Sequence, residues 1–153
     1  MPKFLTKLIS TFFYAGYFPL IPGTAGSLAG VFIFFLIKDN IAAHLLALCA
    51  LLILGLLVCG RAEEEFKKKD PSFIVIDEVC GMLLALLFLP YNIRFVIIAF
   101  LIFRILDTLK PWPACRVEKL KGSLGIMGDD IVAGVYTNII LQVVVRFAIF
   151  NGS

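Results

Sequence analysis

Residues 41–60, IAAHLLALCALLILGLLVCG, run for twenty positions without an Asp, Glu, Lys or Arg. A helix of that length extends ~30 Å, the thickness of a bilayer's hydrocarbon core. The chain as a whole carries more apolar surface than a soluble domain of its size can bury. There are 153 residues, about one domain's worth. Of these, 61% are hydrophobic and 16% charged, with a mean hydropathy of +1.00. Ordinary soluble domains are about 45–50% apolar and about 25% charged. The composition therefore implies an integral membrane protein, an all-α helical bundle with residues 1–153 forming a single membrane domain.

Four more apolar segments follow the N-terminal region: 26–37, short for a span, then 73–89, 93–109 and 126–150. About four to five apolar helices are expected. The first residues, MPKFLTKLISTFFYAGYF, have a basic start and an apolar run but no convincing small-x-small cleavage site. They read as an uncleaved short or interfacial helix with Lys3 and Lys7 on its polar side. Lys38-Asp39-Asn40, Pro90-Tyr91-Asn92 and KPWP at 110–113 punctuate the helices. The hydrophilic stretch RAEEEFKKKDPS reads as a solvated helix end or loop, with chemistry expected only at its end, Asp70-Pro71. Cys49, Cys59, Cys80 and Cys115 form no CxxC pair, and three lie in apolar runs as small hydrophobes. His44, the only histidine, fits a packing or interfacial role.

If the segments alternate across a bilayer, Lys3, Lys7, Arg61, Lys67, Lys68, Lys69, Lys110, Arg116, Lys119 and Lys121 share one side. Lys38, Arg94 and Arg146 take the other. Basic residues collect on the cytoplasmic side, so the richer side is expected to be cytoplasmic. The acids Asp77, Glu78, Asp107, Asp129 and Asp130 fall at that same end, as do Arg104 and Lys110. Carboxylates in hydrocarbon cost several kcal/mol, so their gathering at one depth asks for a chemical reason.

Arg104, Asp107 and Lys110 are spaced i, i+3, i+6 in FRILDTLKPWP, a cation–anion–cation ladder on one helix face. DEVCG and GDDIVAG each place two adjacent acids at an expected helix start, where the dipole favours them. Five acids against Arg104 and Lys110 leave a formal charge of −3. A hard divalent cation with oxygen ligands would offset it. Mg²⁺ fits, and the absence of His or Cys ligands argues against zinc. Asp77, Glu78, Asp107, Asp129 and Asp130 are the candidate metal ligands. Arg104 and Lys110 suit phosphate, one as a bidentate fork and the other as a point charge. PGTAGS offers the Thr24 and Ser27 hydroxyls at a helix N-terminus, which reads equally as an anion site or as tight helix packing.

PGTAGSLAG, KDPSFIVIDEVCGM, FRILDTLKPWP and GSLGIMGDDIVAG resemble the signature stretches of the phosphatidylglycerophosphatase A family, over Pro22 to about Gly134. The resemblance implies an all-helical, Mg²⁺-dependent lipid phosphatase of the bacterial inner membrane. Its expected reaction converts phosphatidylglycerophosphate to phosphatidylglycerol in glycerophospholipid biosynthesis. The active site would face the cytoplasm and the substrate would stay in the bilayer; no nucleic acid is expected. Asp129 and Asp130 are the first candidates for base or nucleophile, with Asp107, Arg104 and Lys110 beside them. Thr24, Ser27, Arg104, Lys110 and Asp70 are expected to contact substrate. Trp112 reads as an interfacial anchor.

Cysteine phosphatase, haloacid-dehalogenase and histidine-nucleophile motifs are absent, as is the aspartate core of CDP-alcohol transferases. A transporter or channel with a cytoplasmic-side acidic cation site is the alternative. It needs polar residues through the full depth, and only Thr137, Asn138 and Gln142 supply mid-depth polarity.

Overall fold

A computed structural model describes residues 2–67 and 71–151, with side chains in the last helix described as far as residue 147. The described residues form helices and turns, with no strand among them. The elements are α1 (Lys3–Ser10), a 3₁₀ turn (Ala15–Tyr17), α2 (Pro22–Ile37), α3 (Ile41–Phe66), α4 (Ile76–Ala85), α5 (Ile93–Leu109), α6 (Ala114–Val117) and α7 (Ser123–Asn151). By length and apolar composition, α3 and α7 could each cross a membrane.

Local chemistry sets several boundaries. Pro22 occupies the first turn of α2, where its missing N–H costs nothing, so the helix starts four residues before the expected 26. Asn40 and Asn92 cap α3 and α5, their side-chain oxygens accepting from Ala43 N at 3.1 Å and Arg94 N at 2.9 Å. Helix α3 continues to Phe66, so of the two readings, helix end or loop, Arg61 and Glu63–Glu65 take the helix end.

The segment expected over 73–89 is helical only from 76 to 85. At ~1.5 Å per residue, α4 is ~15 Å long, about half a membrane crossing. It lies at the centre of the bundle, packed mainly on α7 and α2 and flanked by α3 and α5. Its early end leaves carbonyls that must be satisfied internally. His44 Nε2 on α3 donates to Leu83 O at 2.9 Å. Asn138 Nδ2 on α7 donates to Ala85 O at 3.1 Å and Leu87 O at 2.7 Å, and Gln142 Nε2 to Leu87 O at 3.3 Å. The mid-depth polar residues of α7 therefore cap a broken helix. Thr137 turns back on its own helix, donating to Ala133 O at 2.8 Å. No polar path is needed to explain them.

Two glycines set how closely α4 and α7 cross. A Cβ at Gly134 would run into the Gly81 carbonyl oxygen and stand 3.2 Å from Gly81 C and Cα. Gly81 lies one turn after Asp77, and Gly134 one turn after Asp130. Residues four apart share a helix face, so the crossing that needs these glycines also brings the two acidic pairs together. On the other side of α4, Gly26 and Gly30 of α2 pack against Val75 and Met82, the small-residue spacing of close helix contacts.

The core is apolar, yet large apolar side chains also cover the outside and several polar ones are buried. Phe4, Phe32, Leu46, Leu101 and Phe147 are exposed on the outside. Thr6, Ser10 and Thr11 are fully buried, and Asp77, Asp129 and Asp130 are no more than 6% exposed.

Candidate active site

The N-terminal ends of α2 and α4, the C-terminal end of α5 and the first turns of α7 meet at one end of the bundle. Hydrogen bonds from α1 and α3 brace two of these ends, those of α4 and α7. Val75 N donates to Ser10 O at 3.0 Å, and Gly60 N to Ser123 Oγ at 2.7 Å. Between the four helix ends lies a cavity of about 170 Å³ lined by Pro22, Gly23, Asp77, Glu78, Asp107, Lys110, Asp129 and Asp130, together with Ser72, Ile74 and Ile126.

All five expected acids converge here. Asp77 and Glu78 sit in the first turn of α4, as expected, where free amides and the dipole favour carboxylates. Asp129 and Asp130 do not open their helix. Helix α7 begins at Ser123, so these two lie in its second turn and owe little to the dipole. Their placement comes from the α4–α7 crossing. The acids form two groups, Asp77–Glu78–Asp130 and Asp107–Asp129–Asp130, each offering oxygens within 4.8 Å of one another. Asp130 belongs to both.

The expected Arg104–Asp107–Lys110 ladder is half made. Arg104 Nη1 donates to Asp107 Oδ2 at 2.5 Å. Lys110 has left the helix, because the chain turns left-handed there at φ 47°. Its ammonium instead reaches across to Asp129 Oδ2 at 2.6 Å and Glu118 Oε1 at 2.7 Å. Burial works against the Lys110 charge, but these two carboxylates outweigh it and raise the ammonium above the ordinary lysine range. Glu118 was not legible as a site residue, since it sits among the basic residues of a connecting loop.

Arg104 stands behind Asp107 rather than on the cavity wall, and borders a shallow apolar groove with Leu101, Ile105, Thr108 and Leu109. Gly23 closes the cavity on the α2 side. A Cβ there would come to 2.6 Å from Glu78 Oε1 and 3.2 Å from Arg104 Nη2. Thr24 is half-buried in the same turn and is not part of the cavity wall. Ser27 is fully buried, its hydroxyl donating to Gly23 O at 3.0 Å. The glycines of PGTAGSLAG thus serve both readings left open by the sequence, Gly23 at the cavity and Gly26 and Gly30 in packing. Asp70 lies outside the described residues, two positions before Ser72 of the cavity lining. Trp112 is exposed, and its carbonyl accepts from Tyr136 Oη at 2.9 Å.

A helical bundle holding carboxylates from three helices around a small cavity, with a lysine and an arginine tied to their outer members, has the side chains of a phosphate-processing enzyme. The comparisons agree. The sequence profile described as Phosphatidylglycerophosphatase A matches residues 8–145. A protein of Bacteroides thetaiotaomicron, provisionally described as a phosphatidylinositol-3-phosphatase, is 39% identical, over 93% of this chain and 94% of its own. Phosphatidylglycerophosphatase A of Escherichia coli is 39% identical, over 84% of this chain and 76% of its own. The Haemophilus influenzae enzyme of the same name is 36% identical, over 88% and 85%. No solved structure matches. The chain belongs to the phosphatidylglycerophosphatase A family and is a phosphatase.

Proposed function

We propose that this enzyme removes the terminal phosphate of phosphatidylglycerophosphate, releasing phosphatidylglycerol and phosphate, with Mg²⁺, at the cytoplasmic face of a bacterial inner membrane. The observation that carries the reading is the convergence of five carboxylates on one cavity in a chain of this family.

The residues fit a hard cation. Every candidate ligand is a carboxylate oxygen. Asp130 Oδ1 and Glu78 Oε2 are shielded from solvent and have no hydrogen-bond partner, which is costly for a polar atom unless something binds it. Asp77, Glu78, Asp107, Asp129 and Asp130 would hold the metal. When bound, it would supply Lewis-acid neutralisation of phosphoryl oxygens and lower the pKa of a coordinated water.

The chain's own residues do the rest. Lys110, fixed by Asp129 and Glu118, sets a positive charge on the cavity wall for the equatorial oxygens. Arg104 holds Asp107 in place with one nitrogen and keeps its remaining donors near Gly23 for the phosphate. Asp129 or Asp130 orients or deprotonates the attacking water, or attacks phosphorus directly. The cavity's small size admits the phosphate while the acyl chains remain outside. The exposed apolar faces of the helices, and the ten-to-three partition of basic residues expected from the sequence if the segments alternate across a bilayer, support a multi-pass membrane placement with this end cytoplasmic.

The test is phosphate release by the purified protein from phosphatidylglycerophosphate, phosphatidic acid, phosphatidylinositol 3-phosphate and a soluble phosphomonoester, with Mg²⁺ and with EDTA. Fastest turnover of phosphatidylglycerophosphate, stopped by EDTA and restored by Mg²⁺, is expected. Preference for the phosphoinositide would favour the activity named for the Bacteroides relative. EDTA-resistant turnover would remove the metal from the reading.

A further inference from the structure

We infer that the cavity binds two divalent cations, one on Asp77 and Glu78 and the other on Asp107 and Asp129, with the Asp130 carboxylate shared between them. The inference rests on the metal-assisted reading above and extends it.

Three observations carry it. First, the five acids do not gather as one ligand set; they form two groups of three that overlap only at Asp130. Mg²⁺ binds oxygen at about 2.0–2.1 Å, so two ligands opposed across one ion are at most about 4.2 Å apart. The oxygens of each group lie within 4.8 Å of one another, a few tenths of an ångström from that span, and those of all five acids do not. Five carboxylates on one octahedral ion would also leave about one position for both water and phosphate. Three on each of two ions leave about three apiece, in keeping with the waters that Mg²⁺ retains.

Second, Asp130 is only 3% exposed, and its Oδ1 has no hydrogen-bond partner although the residue lines the cavity. Glu78 Oε2, in the other arm of the first group, is shielded and unpartnered in the same way. Both residues, from different helices, line the cavity, and a buried carboxylate oxygen without a partner is costly unless a cation or donor meets it. In the second group, by contrast, Asp107 and Asp129 are each oriented through Oδ2, by Arg104 and Lys110 respectively.

Third, charge selects the count. The five acids and Glu118, which pairs with Lys110, sum with Arg104 and Lys110 to a formal −4. One divalent ion leaves −2, which still repels a phosphate dianion; two bring the site to neutrality, which does not. Paired ions about 3.5–4 Å apart are an arrangement suited to clamping both the attacking and the leaving oxygen of an in-line displacement.

Mn²⁺ serves as the probe. The full-length protein, stripped with EDTA and returned to detergent micelles or nanodiscs, is titrated with Mn²⁺ by equilibrium dialysis and by electron paramagnetic resonance, with and without inorganic phosphate. Two Mn²⁺ per chain at saturation are expected, with the more closely spaced hyperfine pattern of a spin-coupled pair. Glu78→Gln and Asp107→Asn should each retain one Mn²⁺ with an uncoupled spectrum, provided helix content by circular dichroism is unchanged. A single uncoupled Mn²⁺ in the wild type under both conditions overturns the two-ion inference and leaves the metal-assisted reading standing. No bound Mn²⁺ overturns both. The wild-type stoichiometry decides the matter even if either variant fails to fold.

Discussion

Replacing Gly134 with alanine adds one methyl group at the point where α4 and α7 cross, and the consequence can be worked out from the contact. The new Cβ would press on the Gly81 carbonyl oxygen and stand 3.2 Å from Gly81 C and Cα, all backbone atoms with no side-chain torsion to yield. Carbon atoms pack comfortably at about 3.5–4.0 Å, so the helices must part by roughly 0.5–1 Å. Overpacking of this kind typically costs about 1–3 kcal/mol. The same movement separates Asp77 and Glu78 from Asp130, one turn away. A misplacement of ~1 Å in a catalytic constellation can cost ~100-fold in rate, so phosphate release is expected to fall by ~10–100-fold. Gly55→Ala is the control. Its Cβ would press on the Sδ and Cε of Met127, both at 2.6 Å, with Ile76 Cγ2 at an ordinary 3.7 Å, and the end of the flexible Met127 side chain can swing aside. The assay is phosphate release in micelles alongside thermal unfolding. Wild-type activity and stability in Gly134→Ala would refute the view that this crossing assembles the site.

Three other perturbations probe separate parts of the account. Asp130→Asn removes the carboxylate common to both ligand groups and should abolish phosphate release while circular dichroism shows helix content unchanged. Arg104→Lys exchanges a planar fork for a point charge at the 2.5 Å contact with Asp107; kcat/KM should drop by at least about tenfold, and unchanged turnover would confine Arg104 to a structural pairing. Asn138→Leu deletes the amide donors to Ala85 O and Leu87 O at the end of α4; about 1–3 kcal/mol of stability should be lost, visible as a lower unfolding temperature.

The helical class was readable because apolar length and punctuation act locally. Lys38-Asp39-Asn40 ended α2 and Asn92 opened α5 where expected, since capping needs no tertiary partner. The true length of α4 was not readable. Nothing in LLALLFL marks Ala85 as a terminus; the stop depends on His44, Asn138 and Gln142, 39 to 55 residues away, accepting the task of capping its carbonyls. The acidic residues were legible as a set because carboxylates are rare in apolar sequence. Their division into two groups was not, because it follows from where α5 and α7 approach α4. Lys110 shows the same limit. Helical spacing paired it with Asp107, and a single left-handed residue sent it to Asp129 and Glu118 instead.

The central claim is that side chains from α4, α5 and α7 form one metal-binding phosphatase centre. Anomalous diffraction from crystals of the full chain grown with Mn²⁺ tests it most directly. The account predicts anomalous density inside the cavity, within bonding distance of Asp130 and of carboxylates on α4 and α5. Ordered Mn²⁺ found only elsewhere, such as on the Glu63–Glu65 surface, with the cavity carboxylates bonded solely to protein groups, would contradict it.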